Sequence, residues 1–205
     1  MRINVNYQNS IQIDNIFIDP YKLNNTEEKA KYIFITHPHY DHFSLEDINK
    51  IKNNDTKYII HKDCYNDLVN NGINKENILI VEPNKNYQIN NLYFETTKSY
   101  NINKPFHPKE NNYLGYIITI NNKKYYIVGD SDYIDEMNNI KCDTIFIPIG
   151  GTYTMNIEEA KNLIEKIKPN EIIATHYGPT IPNSNESGLK FKELVGPNYN
   201  VKLFY

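Results

Sequence analysis

The sequence lacks tryptophan, and its 205 residues include only two cysteines, Cys64 and Cys142. Their spacing indicates neither a disulfide framework nor a cysteine-based zinc motif, so we expect both thiols to be reduced and structural. No apolar run approaches the roughly 18 residues that a membrane-spanning helix needs. The N-terminal residues also lack the pattern of a signal peptide. These absences predict a cytoplasmic protein with no membrane partner.

An excess of charge of one sign is also missing. The chain has 22 basic and 25 acidic residues, a net charge of -3 and an isoelectric point near 6.1. This balance disfavours nucleic acid and acidic membrane surfaces as partners, because both attract strongly basic proteins. Homo-oligomerisation is compatible with this composition, although no sequence feature selects an oligomeric state.

Short apolar strand patterns alternate with turns and helical patterns along the whole chain. Strand-like runs dominate the N-terminal third, and helical spacing is clear from Asn156 to Lys168 and near Gly188–Leu194. No linker, internal repeat or domain boundary interrupts this alternation. The pattern predicts a single α/β domain over residues 1–205, with two layers of secondary structure around one core.

The most informative stretch is Thr36–His42, which follows the apolar run Tyr32–Ile35. Three of the six histidines and one aspartate fall within six consecutive residues. Imidazole nitrogens and carboxylate oxygens are ligands that suit zinc, manganese or iron. A buried strand that ends in such a cluster is typical of a rigid scaffold presenting a metal site in a loop.

The spacing within this stretch indicates two ions. His37 and His39 lie two residues apart and could face one side, where they would bind a single ion. Asp41 and His42 are adjacent, which suggests a second ion beside the first. Each ion needs about four ligands with one position open to water or substrate, so further ligands are expected downstream.

Candidates for these ligands stand in the loops that follow later strands. His107 lies in a polar loop, Asp130 follows a buried strand and a glycine, and His176 follows another buried strand. Asp19, before a proline, has two alternative roles. It is either a simple turn residue or a residue that orients a metal-bound imidazole through the second ring nitrogen.

This ordered series resembles the HxHxDH…H…D…H ligand pattern of the metallo-β-lactamase fold superfamily. Its loops are most similar to those of small single-domain hydrolases related to the ascorbate-phosphate lactonases. The resemblance implies an αββα sandwich with two mixed β-sheets flanked by helices, and a dinuclear site. It assigns His37, His39 and His107 to the first ion, Asp41, His42 and His176 to the second, and Asp130 to both. Asn101 is a rival to His107 as a ligand.

The two divalent ions are expected to be zinc or manganese, and iron is also acceptable. A dinuclear site of this kind predicts hydrolysis of an ester, lactone or phosphate ester in a small-molecule substrate. The ions would lower the pKa of a bridging water from 15.7 towards about 7. Asp41 is then expected to align the hydroxide, and Tyr177, Tyr153 or water to protonate the leaving group. Asn101, Lys104 and Lys109 are candidate substrate contacts.

Two other functions share this pattern. One is a nuclease of the same fold acting on RNA or DNA, which the net charge of -3 disfavours. The other is a non-catalytic metal-binding protein, which an open water position would disfavour. A histidine at position 39 also argues against the related di-iron redox proteins, which typically have glutamate there. His61 has no place in the ligand series, and we expect a structural role for it.

Overall fold

Two mixed β-sheets, one in each half of the chain, organise the residues that the structure describes. The structure is a computed structural model that describes residues 1–24 and 27–204. The chain divides into a first unit, Met1–Glu82, and a second unit, Pro83–Tyr205. The single domain expected over residues 1–205 stays a prediction.

The sheet of the first unit has six strands in chain order. β1 to β3 pair antiparallel through tight turns, and β3 to β6 pair parallel. Parallel pairing brings the C-terminal ends of β3, β4 and β5 to one edge, where ligands of α/β sheets usually bind. The strands are β1 (Ile3–Val5), β2 (Ile11–Ile13), β3 (Ile16–Ile18), β4 (Tyr32–Ile35), β5 (Lys57–Ile60) and β6 (Ile78–Ile80).

Two short helices complete the first unit, α1 (Leu45–Ile51) and α2 (Tyr65–Asn70). Ser44, the N-cap residue of α1, accepts a hydrogen bond from the backbone N–H of Asp47, which satisfies one of the unpaired donors at the start of the helix. Ile48 and Ile51 are fully buried under the sheet, as their helical spacing predicts.

The sheet of the second unit has seven strands, in the order β13-β12-β11-β10-β9-β8-β7. β7 to β10 form an antiparallel meander, and β10 to β13 pair parallel. The C-terminal ends of β10, β11 and β12 therefore share one edge. The strands are β7 (Asn86–Ile89), β8 (Leu92–Lys98), β9 (Leu114–Ile120), β10 (Lys123–Ile127), β11 (Thr144–Pro148), β12 (Glu171–Thr175) and β13 (Val201–Lys202).

The helices of the second unit are α3 (Ile157–Ile167) and α4 (Ser187–Val195). α3 begins with a capping box, in which Asn156 accepts from the Glu159 backbone and Glu159 accepts from the Asn156 backbone. Its buried face, with Leu163 and Ile164 at its centre, packs into the apolar core of the second unit. In the described residues, no helix combines the length and apolar character needed to cross a membrane.

Candidate metal centre

The Thr36–His42 stretch forms a tight loop directly after β4 in the first unit. The backbone N–H groups of His42 and Phe43 both donate to the carbonyl of His39. This turn brings His37 Nε2 to 3.0 Å from His39 Nδ1 and places the His37 and His42 ring centroids 4.1 Å apart. Asp41 Oδ2 lies 3.7 Å from His42 Nε2. The four predicted ligands of the first unit therefore lie close together in the loop after β4. They are His37, His39, Asp41 and His42.

The separation between His37 Nε2 and His39 Nδ1 fits two ligands of one ion. Tetrahedral zinc with Zn–N distances of 2.0–2.1 Å requires its nitrogen ligands to be roughly 3.3 Å apart. The observed separation is 3.0 Å. The two atoms can reach this geometry with a shift of a few tenths of an ångström.

The second nitrogens of two of these imidazoles are held by oxygen atoms. His42 Nδ1 lies 2.8 Å from Asp19 Oδ2, so the contact expected from the orienting role of Asp19 is present. The Thr36 hydroxyl donates to Asp19 Oδ2, and its oxygen therefore accepts from His37 Nδ1 at 2.9 Å. With Nδ1 protonated, both rings present the lone pair of Nε2, as metal-ligating histidines usually do.

In the second unit, the carboxylate of Asp130 stands between two imidazoles. Asp130 follows β10, and its Oδ2 lies 3.0 Å from His176 Nε2 and 3.5 Å from His107 Nε2. All three side chains are buried. His176 adopts a left-handed backbone conformation with φ of 50° at the end of β12. The three ligands predicted in the second half of the chain thus converge within that half.

Gly150 allows the loop after β11 to lie against the backbone of His176. A Cβ atom at position 150 would be 2.4 Å from the His176 carbonyl oxygen, which is closer than atoms can approach. A larger residue would therefore displace His176 or the loop. Gly150 therefore serves close packing beside a predicted ligand, whereas Gly151 has a positive φ of 82°.

Asn101, the predicted rival of His107, contacts the imidazole of His107 itself. Asn101 Oδ1 lies 2.9 Å from His107 Nδ1, whereas His107 Nε2 faces Asp130. Of the two residues, His107 is the one whose ring nitrogen lies beside the Asp130 carboxylate. The assignment of His107 to the first ion stays a prediction.

Three of the side chains predicted to contact substrate or to donate a proton make contacts within the second unit. Lys104 donates to Asp132 and to the Thr154 carbonyl, and Lys109 Nζ lies 3.1 Å from the Tyr100 hydroxyl. The ring of Tyr177 is buried against Gly188 of α4. The roles predicted for these residues in the reaction stay predictions, and each side chain has a structural contact as well.

His61 has the structural role expected of it. Its Nδ1 accepts a hydrogen bond from the backbone N–H of Asp63 at 3.3 Å and caps the turn that leads into α2. The two thiols predicted to be reduced and structural are only weakly acidic. Burial raises the pKa of Cys142 to about 12 and raises that of Cys64 further, so neither is a thiolate near neutral pH.

The residues present fit divalent metal ions. Five imidazoles and two carboxylates converge as three-residue or four-residue sets within the units, and nitrogen and carboxylate oxygen are acceptable ligands for zinc, manganese and iron. Hydrogen bonds from the second ring nitrogen to Asp19, Thr36 and Asn101 add the outer contacts that usually accompany metal-bound histidines.

Sequence reasoning missed the contact of Thr36 with His37 and the contact of Asp132 with Asn101. Thr36 looked like part of the loop, and Asp132 like a second acidic residue in Gly129–Asp132. Thr36 stands immediately before the first histidine, and this position is a usable signal for a hydroxyl that contacts it. No sequence signal joins Asp132 to Asn101, because 31 residues separate them.

A fold of two mixed β-sheets with helices, and imidazole and carboxylate clusters after parallel strands, define the metallo-β-lactamase class of proteins. A family model described as a beta-lactamase superfamily domain matches residues 10–176, and the chain belongs to this superfamily. The predicted family and fold class are confirmed.

Among curated relatives, the chain is similar to a UPF0173 protein of Pyrococcus abyssi, with 31% identity over 85% of this chain and 80% of the relative. A UPF0173 metal-dependent hydrolase of Thermococcus onnurineus is 28% identical over 91% of this chain and 87% of the relative. A candidate metal-dependent hydrolase of Parabacteroides distasonis has a crystal structure with a TM-score of 0.79 and 27% identity. That comparison covers 98% of this chain and 91% of the other.

Proposed function

We propose that this protein is a metal-dependent hydrolase that uses two divalent ions and a bridging hydroxide to cleave an ester, lactone or phosphate ester bond in a small molecule. The observation that carries the proposal is the clustering of imidazole and carboxylate groups at the C-terminal ends of parallel strands in each unit. The similarity to a relative described as a metal-dependent hydrolase supports it.

The proposed ligands are those implied by the superfamily pattern. The order of the residues along the chain and the convergence within each unit support the assignment. The metal is zinc or manganese, with iron acceptable to the same ligands. The full set is His37, His39 and His107 for one ion, Asp41, His42 and His176 for the other, and Asp130 for both.

Bound divalent ions would supply Lewis-acid chemistry, which lowers the pKa of a water from 15.7 to about 7 and polarises the scissile bond.

The side chains of this chain orient the proposed ligands and the attacking water. Asp19 and Thr36 keep the ring protons of His42 and His37 on Nδ1, so that Nε2 carries the lone pair. Asp41 is half-buried beside His42, where its carboxylate could accept a proton or a hydrogen bond from the attacking water. Neither cysteine is needed as a nucleophile.

The first test is the metal content of protein purified without chelators or a histidine tag, measured by elemental analysis. We expect about two equivalents of zinc or manganese per chain, because the seven proposed ligands suit two ions with open positions. One equivalent would reduce the proposal to a mononuclear site. No metal after incubation with excess zinc or manganese would refute it.

Two histidines provide a matched pair of variants. His176 and His61 each follow a strand that pairs parallel on both sides, but only His176 is a proposed ligand. We expect His176→Asn to lose about one equivalent of metal. His61→Asn should keep both equivalents, because asparagine can still cap the turn before α2. Equal losses in the two variants would mean that metal loss reflects destabilisation.

The metal-loaded protein would then be assayed with lactones, carboxylic esters and phosphodiesters, and in parallel with single-stranded and double-stranded RNA and DNA. We expect turnover of small molecules and none of the nucleic acids, given the net charge of -3. Cleavage of RNA or DNA alone would support the nuclease alternative. Full metal loading without turnover of any substrate would favour a non-catalytic metal-binding protein.

A further inference from the structure

The loop that carries His107 connects β8 to β9 and is closed upon itself in the second unit. The backbone N–H of Asn101 donates to the carbonyl of His107 at 2.8 Å. The side chains of the same two residues also meet, through Asn101 Oδ1 and His107 Nδ1. Both residues are buried. A predicted ligand far from the end of a strand is thereby held by a residue at the start of its own loop.

The orientation of the Asn101 amide follows from its other neighbours. Its Nδ2 lies 3.2 Å from Asp132 Oδ1 and 2.9 Å from the Tyr153 carbonyl oxygen. A carboxylate and a carbonyl only accept hydrogen bonds, so the NH₂ group must face them. Rotating the amide by 180° would set its oxygen against two acceptors. The orientation is thus determined by the hydrogen-bond network, which is the criterion that distinguishes amide oxygen from nitrogen.

Asp132 is itself held in place. It is buried, and its second oxygen accepts from the backbone N–H of Ile102 at 2.7 Å. The ammonium group of Lys104 lies 2.6 Å from Asp132 Oδ1 and donates also to the Thr154 carbonyl. This paired, hydrogen-bonded carboxylate is a stable acceptor for the Asn101 amide.

The imidazole of His107 has two oxygen neighbours that compete for its proton when the ring is neutral. Asn101 Oδ1 lies 2.9 Å from Nδ1, and Asp130 Oδ2 lies 3.5 Å from Nε2. The contact with Asn101 is within hydrogen-bond distance, whereas the contact with Asp130 is at its limit. The shorter contact favours a proton on Nδ1 and leaves the Nε2 lone pair directed towards Asp130.

We propose that Asn101 is a positioning residue that selects the Nδ1-protonated tautomer of His107, and that Asp132 fixes the amide orientation that makes this selection. The consequence for metal binding rests on the proposed function, because only the Nε2 lone pair facing Asp130 could ligate an ion there. The tautomer itself is a property of the metal-free chain.

The test is long-range ¹H–¹⁵N NMR of the full chain labelled with ¹⁵N-histidine, treated with chelator and recorded near pH 8, where imidazoles are ordinarily neutral. The His107 signals are assigned by their loss in His107→Gln. We expect a proton on Nδ1 in the unmodified protein and on Nε2 in Asn101→Leu, which has a similar shape but no acceptor. A proton on Nε2 in the unmodified protein, or no change in the variant, would overturn the proposal.

One further variant controls for general damage. Exposed Asn139→Leu in the same unit should keep the Nδ1 tautomer of His107. Zinc affinity, measured by chelator competition, should fall 10–100-fold in Asn101→Leu. If the unmodified chain shows the expected tautomer but binds no zinc, the proposed function fails and the positioning role stands.

Discussion

Asp19 shows how much a single buried residue contributes to this fold. Its carboxylate accepts hydrogen bonds from Asn9, from the backbone and hydroxyl of Thr36, and from His42, all between 2.7 and 2.8 Å. A buried carboxylate is stable only with such partners. The sequence offered a turn role and an orienting role for Asp19. The φ of 45° fits a turn, and the contact with His42 is the one that the orienting role requires. Orientation of a metal-bound imidazole stays a prediction.

Tyr177 is predicted to donate a proton to the leaving group, but its buried ring indicates a packing role. Its ring packs against Gly188, where a Cβ atom would be 2.6 Å from the ring. We therefore expect Tyr177→Phe to keep kcat within about threefold of the unmodified enzyme, because phenylalanine keeps the ring carbons that lie nearest to this position. A proton donor would contribute about 10²–10⁴-fold.

The matched control is Tyr153→Phe. The ring of Tyr153 lies edge-on to Phe106 and is only half-buried. Removal of the Tyr153 hydroxyl tests the other predicted proton donor. Both variants would be compared by kcat on the best substrate of the small-molecule assay. A hundredfold loss in Tyr177→Phe alone would establish its hydroxyl as the proton donor.

At the scale of secondary structure elements, the two units follow the same plan. Each begins with an antiparallel meander and continues with parallel strands, and a carboxylate follows the first strand of the parallel series. Asp19 follows β3 and contacts His42, and Asp130 follows β10 and contacts His176. The position after a parallel strand thus predicts where polar side chains gather in both halves of the chain.

The same plan explains which parts of the site were hard to predict. His61 follows β5 as His176 follows β12, and strand position alone cannot separate a helix-capping histidine from a candidate ligand. Strands, the β9–β10 hairpin and α3 follow from local periodicity and turn residues, including Asn121 and Asn122 with positive φ. The contacts among Asn101, Asp132 and Tyr153 depend on tertiary structure, so no local pattern encodes them.

Asp47 of α1 connects the helix to the loop after β3. Its carboxylate accepts from the backbone N–H groups of Lys22 and Leu23 and from Ser44 and Lys50. Burial raises the pKa of Asp47, but these hydrogen bonds outweigh burial and lower it overall. We expect Asp47→Asn to reduce the free energy of unfolding by about 2 kcal/mol at pH 7, because hydrogen bonds to a charged acceptor are lost.

The sign of the pKa shift gives this effect a pH dependence. A depressed carboxyl pKa stabilises the folded state above the ordinary aspartate value, 3.8, and the stabilisation is lost as pH falls through the folded-state pKa. Urea unfolding at pH 7 and pH 3 should therefore show a smaller difference between Asp47→Asn and the unmodified protein at pH 3. Exposed Asp55→Asn is the control, with little effect at either pH. A difference independent of pH would contradict the role of the charge.

At the scale of the whole molecule, the proposed function predicts a strong link between metal and stability. Binding to the folded state alone stabilises it by about 4 kcal/mol when free metal is a thousand times its dissociation constant. For a chain of this length, each kcal/mol corresponds to roughly 2–4 °C in Tm, so chelation should lower Tm by on the order of 10 °C.

The proposed ligands are drawn from residues 37–42 of the first unit and from residues 107, 130 and 176 of the second. Calorimetry should show unfolding at a higher temperature for the zinc-loaded protein than for the chelated protein, and readdition of zinc after chelation should restore the higher temperature. His61→Asn should show the same zinc-dependent rise, whereas His176→Asn should lose most of it. A Tm that does not respond to zinc or to chelator would contradict the metal centre, because metal binding in a folded site cannot leave the unfolding equilibrium unchanged.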